Sequence, residues 1–371
     1  MTDALMVTSS FLPGRGGIES YLAALCSELA PRVAVLAPAR RDGKPIPDDL
    51  PYQTMGYRGS MLVPRRKITR SIIEAAARIG TDRVLFGTPW PLVLLAPGLR
   101  RAGLRYAVIV HGAEFLVPAA VPLLKRRLAA ALAGAELLLP VSEFTGDRIR
   151  SLLGATLPPM ELLRARVDLA RFTSGAPGNE ARLRFGIGSD ERVILVFGRL
   201  VRRKGVHRLI DALVDVRRRV PNAVGVVAGT GPERRRLERR ALRAGSPVVF
   251  TGRIDDEDAP AVYACADAFC LPVADRWFGL EVEGLGVVLL EAAACEVPCV
   301  TGRSGGTPEA VVSGETGYVI DARDQKALVS AICTLLEDRE TARAMGKSGR
   351  NHVLAEFSER GLPTRLISWL G

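Results

Sequence analysis

The chain has 371 residues, which is more than one typical domain needs and enough for two. It contains no run of 18 apolar residues and no basic amino-terminal region followed by an apolar one, so neither a membrane span nor a secretory signal is expected. Its six cysteines lack CxxC spacing and its histidines number only three. This composition argues against a zinc site or a disulfide framework and favours reduced thiols in the cytosol.

The net charge of +11 is concentrated in the first half of the chain, where residues 1–170 hold 22 Lys and Arg against 14 Asp and Glu. Two segments, 58–78 and 121–132, place basic side chains beside apolar ones, which is typical of surfaces that lie on anionic lipid. A solvated helix face is the alternative interpretation. Aromatic residues do not interleave with the basic ones, so nucleic acid is not expected. The basic residues are Arg58, Arg65, Arg66, Lys67, Arg70 and Arg78, then Lys125, Arg126 and Arg127.

Short β-branched runs alternate with longer helical ones, which predicts parallel sheets covered by helices. Turn-forming residues fill 172–188, so we expect a boundary near 170 that separates a domain at 1–170 from one at 171–355. The last segment, about 356–371, is predicted to be a helix broken at Pro363 that crosses back onto the first domain. The first series of strands is predicted at 5–9, 33–36, 83–86, 106–110 and 136–141, and the second at 192–197, 223–228, 248–251, 268–271 and 298–301.

A glycine-bearing turn, GRGG at 14–17, follows the first predicted strand and precedes an amphipathic helix. Free N–H groups at such a helix start favour a phosphate, which makes Gly16 and Gly17 candidate binding residues. The turn lacks a third glycine, and no convincing acidic residue follows the second strand. A dinucleotide-dependent oxidoreductase is therefore disfavoured.

A second turn, FGRLVRRKG at 197–205, follows the first strand of the second series and contains Arg199 and Lys204. A diphosphate suits this pair, because a guanidinium can bind two phosphate oxygens at once and a mobile ammonium on the same turn can add a second positive charge. Solubility is the alternative, and it is the interpretation given to the adjacent Arg202 and Arg203.

His111 follows the run YAVIV and so ends a predicted strand, at the edge where open parallel sheets bind ligands. A structural histidine is the alternative. Since the GRGG turn and Arg199 also follow strands, the three features together favour ligand binding.

The segment EGLGVVLLEAA places Glu283 in a glycine-rich turn and Glu291 in a predicted apolar helix, eight residues apart. A carboxylate among apolar neighbours needs hydrogen-bond donors, which ribose hydroxyls or an arginine elsewhere in the fold would supply. The spacing suits an extended polar ligand such as a nucleotide-sugar. A structural ion pair is the alternative.

These features in this order, a GG loop, a strand-end histidine, R-x4-K and E-x7-E on two Rossmann-like halves, resemble the retaining glycosyltransferases of family 4, which have the GT-B fold. The strings HGAE, GRLVRRKG and GLEVEGLGVVLLEAAACEVP are most similar to actinobacterial GDP-mannose-dependent phosphatidylinositol mannosyltransferases. The resemblance covers nearly the whole chain. It implies two Rossmann-like α/β domains that face each other across a cleft, an N-terminal one for the acceptor and a C-terminal one for the nucleotide-sugar.

The resemblance also implies roles for the matching residues. Arg199 and Lys204 would hold the donor diphosphate and offset the charge on the leaving nucleotide, while Glu283 and His111 would contact the transferred hexose. Glu291 would accept hydrogen bonds from the ribose. The other implied donor-binding residues are Gly16 and Gly17 at a phosphate or the acceptor, Leu285, Gly286 and Val287 through backbone N–H groups, and Arg253 and Ile254 near the base. Retention without an enzymic nucleophile is implied, and neither a metal nor another cofactor is expected, because the cationic pair substitutes for Mg²⁺.

The sequence therefore predicts a hexosyltransferase that moves mannose from GDP-mannose to a lipid-linked or inositol-type acceptor. It is expected in the cytoplasm, peripheral on the inner face of the plasma membrane. One alternative keeps the fold but uses a UDP-sugar and a soluble natural-product or thiol-precursor acceptor. The other is a non-catalytic protein that binds sugar-nucleotides.

Two positions depart from the family pattern. Arg166 stands in RARVD, where a small or turn residue is common, and Glu296 stands in ACEVP, where ACGVP is usual. A positive φ at Arg166 would strain the backbone, and the helix cap after Cys295 is expected to change.

Overall fold

The computed structural model describes residues 2–14, 16–41, 43–59, 62, 64–358 and 362–371. Arg15 of the GRGG turn, residues 60, 61 and 63 of the basic segment 58–78, and residues 359–361 of the last segment lie outside the described residues. Contacts divide the chain into two compact units, Met1–Ala165 with Gly361–Gly371 and Arg166–Arg360. Each unit contains its own six-stranded sheet.

The first unit is built on a parallel sheet in the order β5-β2-β1-β6-β7-β8. Its central strands are almost wholly buried, as expected for a parallel sheet covered on both faces. The strands are β1 Ala4–Val7, β2 Val33–Pro38, β5 Thr54–Tyr57, β6 Arg83–Phe86, β7 Arg105–Val110 and β8 Leu137–Pro140, with a short antiparallel pair, β3 Arg40–Arg41 and β4 Lys44–Pro45. The helices are α1 Gly17–Glu28, α2 Arg66–Ile79, α3 Ala96–Arg101, α4 Ala113–Ala119, α5 Pro122–Ala133 and α6 Glu143–Leu153.

The second unit repeats this plan with a parallel sheet in the order β11-β10-β9-β12-β13-β14. The strands are β9 Arg192–Phe197, β10 Ala223–Ala228, β11 Val248–Gly252, β12 Ala268–Leu271, β13 Cys299–Gly302 and β14 Gly317–Ile320. The helices are α7 Gly178–Arg184, α8 Val206–Arg219, α9 Arg234–Ala244, α10 Ala259–Ala264, α11 Val287–Ala294, α12 Thr307–Ala310, α13 Gln325–Glu337 and α14 Arg339–Glu356.

The direction of strand addition reverses once in each sheet, between β1 and β6 in the first and between β9 and β12 in the second. Open parallel sheets bind ligands outside the carboxyl ends of the strands at such a point. The GRGG turn follows β1, and the FGRLVRRKG turn follows β9. Both predicted phosphate turns therefore begin at a strand that borders the reversal.

All ten predicted strands are present, with ends displaced by at most two residues. The strands β5 and β14 were not predicted, because each is a four-residue edge strand that contains glycine. The helix α7 was not predicted either, since it lies in the turn-rich stretch 172–188. It is anchored by Arg182, whose guanidinium donates to the Cys265 carbonyl at 2.9 Å and to Asp267 at 2.8 Å.

The last helix, α15 Thr364–Leu370, belongs to the first unit, which confirms the predicted return of the carboxyl terminus. Leu366 and Leu370 are fully buried in the core of that unit. The indole of Trp369 donates to Glu136 at 2.8 Å, and Arg83 donates to the Leu370 carbonyl at 3.0 Å.

The two basic segments differ in what they expose. In the first, Leu62, Ile68 and Ile72 are buried, so these three apolar side chains are not available to a lipid surface. In the second, Leu123 is 61% exposed next to an exposed basic run at 125–127. Among the described residues, no helix combines the length and the apolar character that crossing a membrane requires.

All six cysteines are buried free thiols. Burial raises the pKa of Cys265 and of Cys295 to about 12. These thiols are therefore protonated at neutral pH and pack as small apolar side chains.

Of the two departures from the family pattern, only Glu296 strains the backbone. It has a φ of 59°, whereas Arg166 is not among the described non-glycine residues with positive φ. The N–H groups of Glu296 and Val297 donate to the carbonyls of Ala293 and Ala292, which closes α11 with the double hydrogen bond that usually has glycine at its left-handed position. The expected change of cap is therefore wrong, because the cap is kept and glutamate adopts the left-handed conformation.

Replacing Glu296 with glycine is expected to stabilise the second unit by about 1 kcal/mol, because the left-handed conformation no longer crowds a Cβ. Urea denaturation followed by circular dichroism measures the change. The control is Ala344→Gly on the exposed side of α14, which should destabilise by a similar amount since glycine weakens a helix interior. A loss of stability in Glu296→Gly would contradict the strain.

Candidate functional site

In the first unit, the GRGG turn leads from β1 into α1. Gly16 is the N-cap residue and Gly17 begins the helix. A Cβ at Gly17 would meet no atom within 4 Å, so the helix start is open on that side. Free backbone N–H groups at this end favour an anion or another hydrogen-bond acceptor.

A carboxylate from the same helix lies beside this turn. A Cβ built at Gly16 would come within 2.4 Å of Glu19 Oε2, while Glu19 Oε1 is 3.1 Å from Arg41 Nη1. Glu19 thus brings a negative charge to the helix start, where it can accept hydrogen bonds from a ligand. The turn therefore suits hydroxyl groups as well as phosphate.

His111 directly follows β7 and is buried. Its Nε2 is 2.9 Å from the Gly87 carbonyl oxygen, just past the end of β6, and its ring packs edge-on against Tyr21. Because a carbonyl only accepts, Nε2 carries the proton and Nδ1 presents a lone pair. Burial lowers the pKa of His111, against the opposing influence of Glu114 and the Gly87 carbonyl, so the ring is neutral near pH 7.

In the second unit, Arg199 and Lys204 lie in the turn between β9 and α8. Arg199 is exposed, whereas the ammonium of Lys204 is 2.9 Å from Glu283 Oε2. The turn ends at Gly205, where φ is 70° and a Cβ would come within 1.9 Å of the Pro272 carbonyl oxygen. Only glycine fits there, so the turn after β9 packs directly on the chain that leaves β12.

Glu283 lies in the loop before α11 and is 8% exposed. Its Oε2 forms ion pairs with both Lys204 and the guanidinium of Arg203. Burial raises the pKa of the Glu283 carboxyl, but the two cations more than offset burial and the pKa is lowered overall. Glu283 therefore stays ionised at neutral pH. The structural ion pair, one of the two interpretations of this residue, is present.

For Arg203 the solubility interpretation is wrong, because its side chain is turned toward two carboxylates. Its side chain is 19% exposed and contacts Glu283, and its Nε is 3.9 Å from Glu281. Arg202 is exposed and its guanidinium lies 4.0 Å from Glu233, as the solubility interpretation predicts. A run of adjacent basic residues does not reveal which side chain points inward, so the sequence carried no signal for Arg203.

The side chain of Glu291, within α11, accepts a hydrogen bond from Tyr263. The Tyr263 hydroxyl donates to Glu291 Oε2 at 2.5 Å. Burial raises the pKa of Glu291 to about 7, and the hydrogen bond from Tyr263 acts in the opposite direction. Tyr263 thus supplies a hydrogen-bond donor that the sequence did not predict, because nothing in the sequence pairs residues so far apart.

The remaining donor-binding candidates lie at the same carboxyl edge of the second sheet. Gly286, with φ of 86°, is the N-cap of α11, between the buried Leu285 and Val287, the first helical residue. Arg253, which is exposed, and Ile254, which is buried, directly follow β11, two strands away from β9.

The second unit thus combines two cations in one turn, an ionised carboxylate, a helix start and a carboxyl group close to half protonation. This set suits a ligand with an anionic centre and hydroxyl groups on either side of it. In the part of the chain that the structure describes, no three His, Cys, Asp or Glu side chains are grouped as metal ligands would be.

Comparison with known proteins finds relatives along the whole chain. The family described as Glycosyl transferases group 1 matches residues 179–352. The GDP-mannose-dependent alpha-(1-6)-phosphatidylinositol monomannoside mannosyltransferase of Mycolicibacterium smegmatis is 38% identical over 99% of this chain and 97% of its own length. The GDP-mannose-dependent monoacylated alpha-(1-6)-phosphatidylinositol monomannoside mannosyltransferase of Corynebacterium glutamicum is 33% identical with the same coverage.

Solved structures share the fold at lower identity. Anabaena Alr3699/HepE in complex with UDP superposes with a TM-score of 0.80 at 20% identity, covering 96% of both chains. Sucrose-phosphate synthase from Thermosynechococcus elongatus gives a TM-score of 0.77 at 22% identity, covering 96% of this chain and 95% of the other. At such identity the likeness establishes the fold alone.

Replacing Glu291 with glutamine is expected to remove a pH dependence of stability. Because the pKa of Glu291 is raised from 4.5 to about 7, the folded state binds more protons than the unfolded state between these values, and stability falls as pH rises through this window. The wild type should lose on the order of 2 kcal/mol relative to Glu291→Gln between pH 5 and pH 8. Denaturant titrations at both pH values measure this difference, and parallel curves for the two proteins would contradict the raised pKa.

Proposed function

The chain belongs to the group 1 glycosyltransferases, and we propose that it transfers mannose from GDP-mannose to a phosphatidylinositol-type glycolipid, with retention of the anomeric configuration and without a metal ion. Its fold is GT-B, as the motifs predicted. The relatives that match over their full length are named as GDP-mannose-dependent mannosyltransferases, which supports both the donor and the acceptor class.

One observation carries the proposal: the contact between Lys204 and Glu283 joins the R-x4-K turn to the E-x7-E segment at the carboxyl edge of one sheet. A diphosphate bound by Arg199 and Lys204 would therefore lie next to an ionised carboxylate. That carboxylate suits the hydroxyls of a sugar attached to the diphosphate. A nucleotide-sugar has its diphosphate and its hexose in this order.

In the proposed reaction, the bond between the anomeric carbon and the phosphate oxygen breaks and its electron pair stays on the departing GDP. Arg199 and Lys204 stabilise that developing charge, which is the main catalytic task. The acceptor hydroxyl attacks from the face that the phosphate leaves and gives its proton to the phosphate. Glu283 holds the mannose, and Glu291 accepts a hydrogen bond from the ribose when it is ionised.

The first unit supplies the acceptor side of the proposal. The helix start at Gly16 and Gly17, together with Glu19, suits hydroxyl groups. Neutral His111 keeps Nδ1 as a hydrogen-bond acceptor for a substrate hydroxyl, since its Nε2 donates to the Gly87 carbonyl. The enzyme would bind its lipid acceptor from the cytoplasmic side, as a peripheral membrane protein.

The membrane contact is proposed at α5, where the exposed Leu123 adjoins Lys125, Arg126 and Arg127. Basic side chains add attraction to anionic lipid, and an exposed leucine adds apolar contact. The exposed basic side chains of α2 contribute charge only, because the apolar side of that helix is in the core.

Replacing Lys204 with alanine is expected to lower kcat/KM for mannosyl transfer by about a hundredfold or more, because the leaving diphosphate loses a cation. The matched control is Arg202→Ala, whose exposed side chain should leave activity within about twofold. Transfer to phosphatidylinositol monomannoside in vesicles measures kcat/KM, and activity in EDTA tests independence from metal. Thermal stabilisation of the wild type by UDP-sugars and not by GDP-mannose would contradict the donor, and binding without any transfer would favour the non-catalytic alternative.

Changing Lys125, Arg126 and Arg127 together to glutamine is expected to weaken sedimentation with vesicles that contain phosphatidylserine by at least about tenfold, since each basic side chain contributes roughly 1 kcal/mol near an anionic surface. The control replaces Arg235, Arg236 and Arg239, which lie on α9 of the second unit. Equal sedimentation of both variants and the wild type at low salt would contradict the proposed contact.

A further inference from the structure

Two anionic groups compete for the ammonium of Lys204, the Glu283 carboxylate and the donor diphosphate. Its ammonium is 2.9 Å from Glu283 Oε2, yet the proposed function requires the same ammonium on the donor diphosphate. A diphosphate is a stronger attractor than one carboxylate, so donor binding draws Lys204 away. Glu283 would then lose a cation while it remains buried, which is costly unless another positive group stays with it.

We propose that Arg203 is a positioning residue that holds Glu283 in place when the donor diphosphate draws Lys204 away. In this exchange, Lys204 leaves Glu283 for the diphosphate, and Arg203 remains as the counter-ion of Glu283. The inference rests on the proposed function, since it requires Lys204 to bind a diphosphate.

The contacts of Arg203 fit this role. Its guanidinium binds Glu283 Oε2, the same oxygen that Lys204 contacts, so it remains as a counter-ion after Lys204 leaves. Its Nε also lies 3.9 Å from Glu281, and Glu281 is held by Arg276 at 2.7 Å. Arg203 is thus fixed between two carboxylates and has a planar fork suited to bridging them.

The backbone of Glu283 is fixed independently of these cations. Its N–H donates to Ser304 Oγ at 3.1 Å, and its carbonyl accepts from the Gly306 N–H at 3.1 Å. A Cβ at Gly305 would come within 1.8 Å of that carbonyl oxygen, so the two loops are in direct contact. The exchange therefore concerns side chains, while the Glu283 main chain stays where it is.

The exchange predicts how the affinity for GDP, which has a diphosphate but no hexose, depends on Arg203 and Glu283. In the wild type, GDP must compete with Glu283 for Lys204. Without Arg203, Glu283 depends on Lys204 alone and holds it more tightly, so GDP should bind more weakly. Without the charge of Glu283, Lys204 is released and GDP should bind at least as tightly as before.

The test is a cycle of GDP affinities measured by isothermal titration calorimetry on the full-length protein. Arg203→Gln is expected to weaken GDP binding about tenfold, while Glu283→Gln tightens it severalfold. The double variant is expected to match Glu283→Gln, because Arg203 acts only through that carboxylate. Arg202→Gln is the matched control and should leave the affinity unchanged, and Arg203→Lys should restore most of it.

Each other outcome overturns the exchange. Unchanged GDP affinity in Arg203→Gln shows that Glu283 does not need the guanidinium. Weak binding that persists in the double variant shows that Arg203 contacts the diphosphate directly. Lys204→Ala separates the two ideas: an unchanged GDP affinity in that variant contradicts the proposed function itself, whereas a normal loss there with normal binding in Arg203→Gln overturns the exchange alone.

A kinetic measurement distinguishes positioning from a merely structural role. Arg203→Gln removes the guanidinium that lies between the carboxylates of Glu283 and Glu281, and Lys204 is then the remaining cation paired with Glu283. The pKa of Glu283 should rise, so the acidic limb of the kcat profile should move to higher pH while the protein keeps its circular dichroism spectrum. An unmoved limb with a lower kcat would contradict positioning through Glu283.

Discussion

A buried carboxylate must be accompanied by positive charge, and this requirement organises the second unit around Glu283. The cations come from the turn after β9, and the carboxylate comes from the loop after β12. These two loops meet because their strands are neighbours in the sheet and because Gly205 allows the backbones to touch. The ion pairs thus follow from the strand order as much as from the residues themselves.

The same strand order explains why a candidate site could be predicted from the sequence. A parallel sheet brings the carboxyl ends of its strands to one edge, so polar residues that follow strands are brought together without knowledge of any contact. Strands such as β9 and β10 are continuous buried runs, and their bounds were predicted to the residue. His111, Arg199 and Lys204 were predicted to follow strands in the same way, and the structure has them there.

The sequence could not show which side chains point into the protein. Arg203 stands in a run of three basic residues, and only the geometry of the turn separates it from Arg202. Tyr263 reaches Glu291 from another helix, a tertiary contact with no periodic pattern behind it. The buried side of α2 is a similar case, because the pattern of an amphipathic helix is the same whether its apolar side meets lipid or core.

Glu283 and Glu291 lie on one segment but are driven to opposite states. Two cations lower the pKa of Glu283, whereas burial raises that of Glu291 to about 7 against the opposing hydrogen bond from Tyr263. The difference arises from the surroundings and not from the residue type, since both are glutamates and only Glu283 is paired with cations. The hexose side of the proposed site is thus ionised throughout the physiological range, while the ribose side changes charge within it. Any pH dependence of donor binding near neutrality should therefore arise at the nucleoside.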